Sequence, residues 1–213
     1  MSASDQRRRL RDISQRLRPG LPVWPGDTAF DQSRTWKMDS GSPVNVSALT
    51  LSTHSGAHAD APLHYDEGAP DIAEVALDPY MGECLVVDAR SARALIRPSD
   101  LPDLAGTERV LFRTFDAFPH DHWPHDTTAI AAETIAQLAA QGVRLVGIDT
   151  PSIDPQDSKT MDAHKAVLAH NIRVLEGLVL DDLPEGRYEL IALPLAIEGG
   201  DASPVRAILR DLE

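Results

Sequence analysis

Residues 53–65 read T-H-S-G-A-H-A-D-A-P-L-H-Y, and no other stretch constrains the chain as tightly. Three of its eight histidines fall here, with an aspartate between the second and third. His54 and His58 are four apart, Asp60 follows two later, and His64 comes four after that. Borderline first-row ions such as Zn²⁺ take neutral imidazole nitrogen and carboxylate oxygen, so this density is a metal signature rather than a scatter of surface or core histidines. The residues between (Ser55, Gly56, Ala57, Ala59, Ala61) are small enough for the backbone to close around an ion. Pro62 lacks an N–H and forbids a helix running on through this point. The segment is therefore expected to be a strand end turning into a loop. It is not the H-E-x-x-H helix of the zincins, although the His54/His58 spacing is the same.

The whole chain sets wide bounds. Its 213 residues fit one domain, 1–213, with a sizeable core. A net charge of −13 argues against nucleic acid and anionic membrane surfaces as partners. The single cysteine, Cys84, excludes an internal disulfide and a Cys₄ zinc site, and its place in C-L-V-V suits a buried, inert thiol. No apolar stretch approaches the roughly 20 residues of a membrane span. The opening M-S-A-S-D-Q-R-R-R-L leads into no apolar h-region, so the expected location is cytoplasmic.

Along the chain, residues 1–8 are polar and expected to fray. Residues 10–17 suit a strand or a helix equally. A Pro/Gly-rich loop follows, with Trp24 inside P-V-W-P-G-D, where its ring either faces a ligand or plugs the core edge. Alternation and β-branched residues predict a strand at 44–53, delivering the chain to His54. Further strands are expected at 82–89, 109–115, 143–148, 175–180, 188–196 and 205–209, and a short turn or helix at 99–104. The clearest helix covers 128–141, capped by Asp126 or Thr127 and stopped by Gly142. A second helix at 161–169 carries His164. Asp149 ends a strand, where it either ties down the turn or carries function. No repeat or interdomain linker is visible.

Residues 116–126, D-A-F-P-H-D-H-W-P-H-D, form a rival histidine cluster: His120, His122 and His125. Pro119 and Pro124 break it up ahead of a helix, which suits a surface loop that could wall a pocket or bind stray metal.

A catalytic zinc wants about three protein ligands and an open position. His54, His58 and Asp60 supply three. His164 and Glu176 bring the total to five; Glu176 sits in the apolar L-E-G-L and needs a positive partner if buried. Five ligands with two carboxylates able to bridge describe a pair of zinc ions roughly 3.5–4 Å apart, which acidify bound water and polarise a carbonyl. That is the chemistry of amide or ester hydrolysis, with His64 as general acid–base.

H-S-G-A-H-A-D-A-P-L-H closely resembles the H-x-G-T-H-x-D-x-P-x-H motif of the cyclase family of metal-dependent hydrolases, and within it the bacterial kynurenine formamidase branch. The supporting pieces are V-W-P-G-D at 23–27, G-I-D-T-P-S-I-D at 147–154, and the eleven-residue spacing between His164 and Glu176. Ala57 stands where many members have Thr. The resemblance implies His54, His58, Asp60, His164 and Glu176 as metal ligands, His64 as the catalytic histidine, and Trp24 as a substrate contact. It implies a compact α/β domain with a mostly β core, a mixed sheet flanked by helices, usually as a homodimer. It also implies two Zn²⁺ per subunit and hydrolysis of N-formyl-L-kynurenine to L-kynurenine and formate in tryptophan degradation. Other divalent first-row ions suit the same donors. Rival readings are a hydrolase of isatin, a cyclic imide or another aryl amide, and a non-catalytic metal-binding protein using the second cluster.

Overall fold

The runs at 84–87 (C-L-V-V), 110–112 (V-L-F) and 145–148 (L-V-G-I) show no polar alternation, so strands built from them must be covered on both faces. The computed structural model, which describes residues 9–212, places them at the centre of a mixed sheet. Its strands in chain order are β1 (Leu10–Asp12), β2 (Asp31–Trp36), β3 (Val46–Thr50), β4 (His58–Asp60), β5 (Met81–Asp88), β6 (Leu95–Ile96), β7 (Arg109–Arg113), β8 (Ala129–Ile130), β9 (Leu145–Ile148), β10 (Arg173–Glu176), β11 (Gly186–Ile191), β12 (Ala202–Pro204) and β13 (Ile208–Asp211). Among the described residues, nine of them form the main sheet in the order β1-β13-β11-β5-β7-β9-β10-β4-β12. β5, β7, β9 and β10 run parallel, and the flanking pairs are antiparallel. Parallel neighbours need crossovers. Helix α1 (Ala132–Ala140) crosses from β7 to β9, and α2 (Asp162–Ala169) from β9 to β10. β2 and β3 form a separate hairpin.

Alternate side chains sort into two cores. Leu85, Val87, Val110, Phe112, Val146 and Ile148 meet Ile135, Leu138 and Val167 of the helices. Cys84, Val86, Leu111, Leu145 and Leu175 face the other way, onto Ala57, Ala59, Tyr80 and Leu190. Burial pushes the Cys84 thiol up to about 12, as befits an inert group. The α/β class with a mostly strand core is as expected. No helix among the described residues is long and apolar enough to cross a membrane.

Several boundaries depart from expectation: the strands expected over 175–180, 188–196 and 205–209 run instead over Arg173–Glu176, Gly186–Ile191 and Ile208–Asp211. The helix expected over 128–141 starts at Ala132, because Ala129 and Ile130 pair with Leu95 and Ile96 instead. Those two residues are fully buried in that pairing, and the tertiary gain overrides local helix propensity. Neither Asp126 nor Thr127 caps the helix; Ala131 occupies the cap without a side-chain bond. Gly142 does stop it, at φ +88°. Residues 10–17, left open between helix and strand, yield β1. Finally, β2 is mostly polar and exposed on every residue, so no apolar pattern announced it. The expected fraying of residues 1–8 lies outside the described residues.

Candidate metal centre

A strand turns successive side chains to opposite faces. In β4 this puts His58 and Asp60 on one face and sends Ala59 into the core. β10 runs antiparallel beside β4, with Glu176 opposite His58 and Val174 opposite Asp60. Directly opposed residues have neighbouring side chains, so Glu176 joins the pair. His54 enters from the turn before β4, and His164 from α2. Pro62 opens a single 3₁₀ turn, Pro62–His64, that swings His64 over the same spot. Close approach here requires glycine: Gly177 has φ +64°, and a Cβ on it would lie 2.5 Å from the Gly56 carbonyl oxygen.

The five expected ligands are thereby brought together. His54 Nδ1 lies 3.2 Å from Asp60 Oδ1, and His58 Nε2 lies 3.5 Å from the same oxygen. His164 Nε2 lies 3.3 Å from Asp60 Oδ2. Glu176 sets Oε2 3.3 Å from His58 Nε2 and Oε1 3.6 Å from His164 Nε2. Each carboxylate thus faces histidines on two sides.

Donors packed this way need a partner. His58, Asp60, His164 and Glu176 are all buried, and His58 Nε2 and Asp60 Oδ1 have no hydrogen-bond partner. The remote nitrogens are already engaged: His58 Nδ1 with the Gly56 carbonyl at 2.9 Å, His164 Nδ1 with Asp154 Oδ2 at 2.6 Å. Such bonds fix the tautomer of a metal-ligating imidazole and leave its other nitrogen for the ion. Nitrogen and oxygen donors with orphaned buried atoms fit a divalent first-row cation.

The electrostatics agree. Burial acts to lower the His54 pKa, but Asp60 and Asp201 outweigh it and lift it to about 9. His164 is lifted to about 10 against its burial by Asp154, Asp60 and Glu176. Burial would raise Asp60, yet the His164 and His54 imidazoles hold it well below the usual carboxylate range. The carboxylates make a negative focus that calls for positive charge, which a metal ion supplies.

The cluster floors a cavity of about 320 Å³ whose wall includes Trp24, His64, Ser152 and Gln156. Trp24 is 38% exposed, on a loop as expected, with its ring at the cavity. The His64 side chain is 30% exposed, its ring centroid 4.3 Å from that of His54. Burial and the neighbouring His54 and His164 charges lower its pKa, against the pull of Asp60 and Glu176. Three donor trios lie within 4.8 Å of one another: His54/His58/Asp60, Asp60/His64/His164 and His54/His64/Asp201.

Two acids at the site escaped the sequence reading. Asp154 lies in the quoted G-I-D-T-P-S-I-D piece but was given no role. It accepts from His164 Nδ1 and also from the backbone N–H groups of Ala163 and His164, so it caps α2 and orients its histidine together. An acid shortly before a helix with an early histidine is the signal that could have found it. Asp201, in the I-E-G-G-D loop, accepts from Thr53 Oγ1 at 2.8 Å and His54 Nε2 at 3.1 Å, and lies 3.6 Å from His64 Nδ1. Nothing local marks it. Asp149 ties a turn: it accepts from Thr114 N, Thr114 Oγ1 and Phe115 N.

The second histidine cluster does not converge. His120, His122 and His125 are exposed, and none belongs to a metal-capable trio among the described residues. His122 lines a smaller cavity behind the centre, together with His54 and His58.

Comparison with known proteins follows this geometry. The family model described as "Putative cyclase" matches residues 11–155. A protein of Erythrobacter litoralis named kynurenine formamidase is 63% identical over 212 residues, covering 100% of this chain and 98% of its own. One of the same name from Maricaulis maris is 57% identical over 94% of this chain and 97% of its own. Among solved structures, a potential metal-dependent hydrolase with cyclase activity superposes with a TM-score of 0.82 at 30% identity, covering 96% and 98% of the two chains. The isatin hydrolase A of Labrenzia aggregata gives 0.80 at 25% identity, covering 96% and 94%. Motif, fold and relatives coincide: the chain belongs to the cyclase family.

Proposed function

We propose that this protein is a kynurenine formamidase that hydrolyses N-formyl-L-kynurenine to L-kynurenine and formate, in tryptophan degradation, using two zinc ions held by His54, His58, Asp60, His164 and Glu176. The observation that carries the reading is a single cavity lined both by Trp24 and by His54, His164 and Glu176 of the donor cluster, with the buried, partly orphaned His58 and Asp60 in contact with those donors. Both relatives of the same name span nearly the whole chain. Two ions are favoured because five donors converge, with Asp60 and Glu176 each directing separate oxygens to different histidines, so that the set would suffice for a pair of cations rather than one. A divalent ion held there supplies Lewis acidity, acidifying water and polarising the formyl carbonyl.

The chain's own groups do the rest. Asp154 and the Gly56 carbonyl keep the Nε2 atoms of His164 and His58 free and aimed inward. Asp201 faces His64 Nδ1, which leaves Nε2 to take a proton from water and deliver it to the aryl nitrogen as the C–N bond breaks. An arylamine is weakly basic, so that delivery can come late. Trp24 offers its face to the aniline ring, and a cavity of about 320 Å³ suits a substrate with one ring. His64 is taken as proton carrier rather than ligand because it is the more exposed histidine and lines the cavity wall.

Turnover of N-formyl-L-kynurenine, isatin and dihydrouracil, with metal analysis before and after chelation, tests the proposal. Preference for the formamide, lost on chelation and restored by Zn²⁺, is expected. Preference for isatin or dihydrouracil would overturn the substrate assignment.

The same reading takes the protein as a cytoplasmic homodimer. The β2–β3 hairpin is exposed throughout and displays Trp36, Val46 and Leu49, with Met38 and Val44 in its connection. Clustered apolar surface of this kind is usually covered in an assembly. Light scattering should give twice the 23.1 kDa chain mass.

A further inference from the structure

Behind Trp24 stands a second indole that the proposed reaction does not use. Trp123 meets Trp24 edge-on, with ring centroids 5.5 Å apart and planes at 74°. Trp123 lines the smaller rear cavity rather than the main one, so it backs Trp24 instead of competing for the ligand. One side chain from another loop holds it. Gln156 Oε1 accepts from the Trp123 indole Nε1 at 3.0 Å, and Gln156 Nε2 donates to the Pro124 carbonyl at 2.5 Å. Gln156 is half-buried and itself lines the main cavity.

The two loops it joins differ in anchorage. The loop carrying Gln156 is tied to the metal centre two residues earlier, through Asp154 and His164. The loop carrying Trp123 is held up to Asp121, by Asp181 at the Phe118 N–H and by Arg18 at His120 and Asp121; beyond that it exposes His122, His125 and Asp126, and Gln156 is the side chain that grips it there among the described residues. A planar amide using its acceptor and its donor at once fixes both the distance and the tilt of the segment it grips.

We infer that Gln156 is the positioning residue of the aromatic wall: by clamping Trp123 and Pro124 to the better-anchored loop, it holds Trp24 ready for a flat aryl substrate. This rests on the aryl formamidase reading. A wall ordered before binding spares the ordering cost that a loose one incurs at binding. The metal donors and His64 are untouched by the clamp, so its loss should fall on KM and not on kcat.

The test is a double-mutant cycle of Gln156→Met, which keeps length and removes both hydrogen bonds, with Trp123→Phe, which keeps a ring and removes the N–H. Trp123→Phe should raise KM for N-formyl-L-kynurenine about fivefold, the size of one lost hydrogen bond, and Gln156→Met, which loses two, at least as much, with kcat and metal content unchanged in both. The double variant should add little, because both changes break the same bond. A second readout needs no substrate. In a Trp36→Phe background the emission comes from Trp24 and Trp123, since the chain has three tryptophans. Gln156→Met should there increase acrylamide quenching. Unchanged KM with unchanged quenching would overturn the inference, as would a fall in kcat and metal content alongside the KM change. Should the wild-type protein fail to hydrolyse N-formyl-L-kynurenine, the substrate reading falls, and the quenching alone decides the clamp.

Discussion

Residues 54–64 and 116–126 carry similar inventories, three histidines each with acidic neighbours, and the fold treats them in opposite ways. The first runs through a covered strand. Alternation puts His58 and Asp60 on one face, small residues let β10 and α2 close in, and Glu176 and His164 complete a buried cluster. The second is broken by Pro119 and Pro124 and stays exposed. Its histidines diverge: His120 packs on Phe118, His122 turns to the rear cavity, and His125 faces an open surface cavity. Ligand-type residues close in sequence become a metal centre only where a backbone of defined periodicity aims them at one point, and where distant elements supply both the missing donors and the exclusion of water.

Paired substitutions break this contrast most directly. His58→Ala should remove bound metal and abolish turnover. The triple change of His120, His122 and His125 to alanine should keep metal and leave turnover within about twofold, as exposed positions usually do. Metal analysis with kinetics reads both. Metal retained in His58→Ala and lost in the triple variant would invert the assignment.

Next in size is His64→Ala, which should retain metal while kcat falls by roughly 10²–10⁴-fold, the usual worth of a general acid–base. Loss of metal together with activity would move His64 into the ligand set, as its place in two metal-capable trios allows.

Asp149 concerns the root of the second loop, where it grips Thr114 and Phe115. Burial pushes its carboxyl up to about 6 against three hydrogen-bond donors. A group whose folded pKa is raised stabilises the fold fully below its unfolded value near 4, and that contribution is lost as pH rises through 6. The upper limit for a shift of this size is about 3 kcal/mol. Asp149→Asn can keep its contacts by accepting from the two N–H groups and donating to Thr114 Oγ1. It should therefore flatten the stability difference between roughly pH 4 and 6 in urea titrations. A wild-type curve already flat relative to the variant would show that Asp149 is ionised in the fold.

The smallest effect belongs to Asp154→Asn. It should weaken metal affinity about ten- to a hundredfold without abolishing it, the ordinary cost of disturbing the partner of a metal-ligating histidine. Competition with a chromogenic chelator measures this. Unaltered affinity would leave Asp154 as a helix cap alone.

Much of the fold was legible because both-face burial writes itself into sequence. The apolar runs at 84–87 and 145–148 read as strands, and 109–115 read as one through its alternation. β2 was not legible, since D-Q-S-R-T-W carries no burial pattern, and the start of α1 was misplaced because Ala129 and Ile130 satisfy a strand partner more than thirty residues away. At the site, the donors were readable and their supports were not. His54, His58, Asp60 and His64 stand within eleven residues of chain. Asp201 reaches His54 from 147 positions away.

The sequence alone determined the donor chemistry: a run of imidazole and carboxylate groups at His54, His58, Asp60 and His64 of the kind that binds a cation. Only the tertiary structure decided that Glu176 faces His58 across the sheet, that Asp154 holds His164, that Asp201 faces His64, and that the second histidine cluster stays apart. The reason is physical. Donor type is a property of each residue by itself, whereas convergence on a point depends on register and helix docking, which are set by the burial of the whole core.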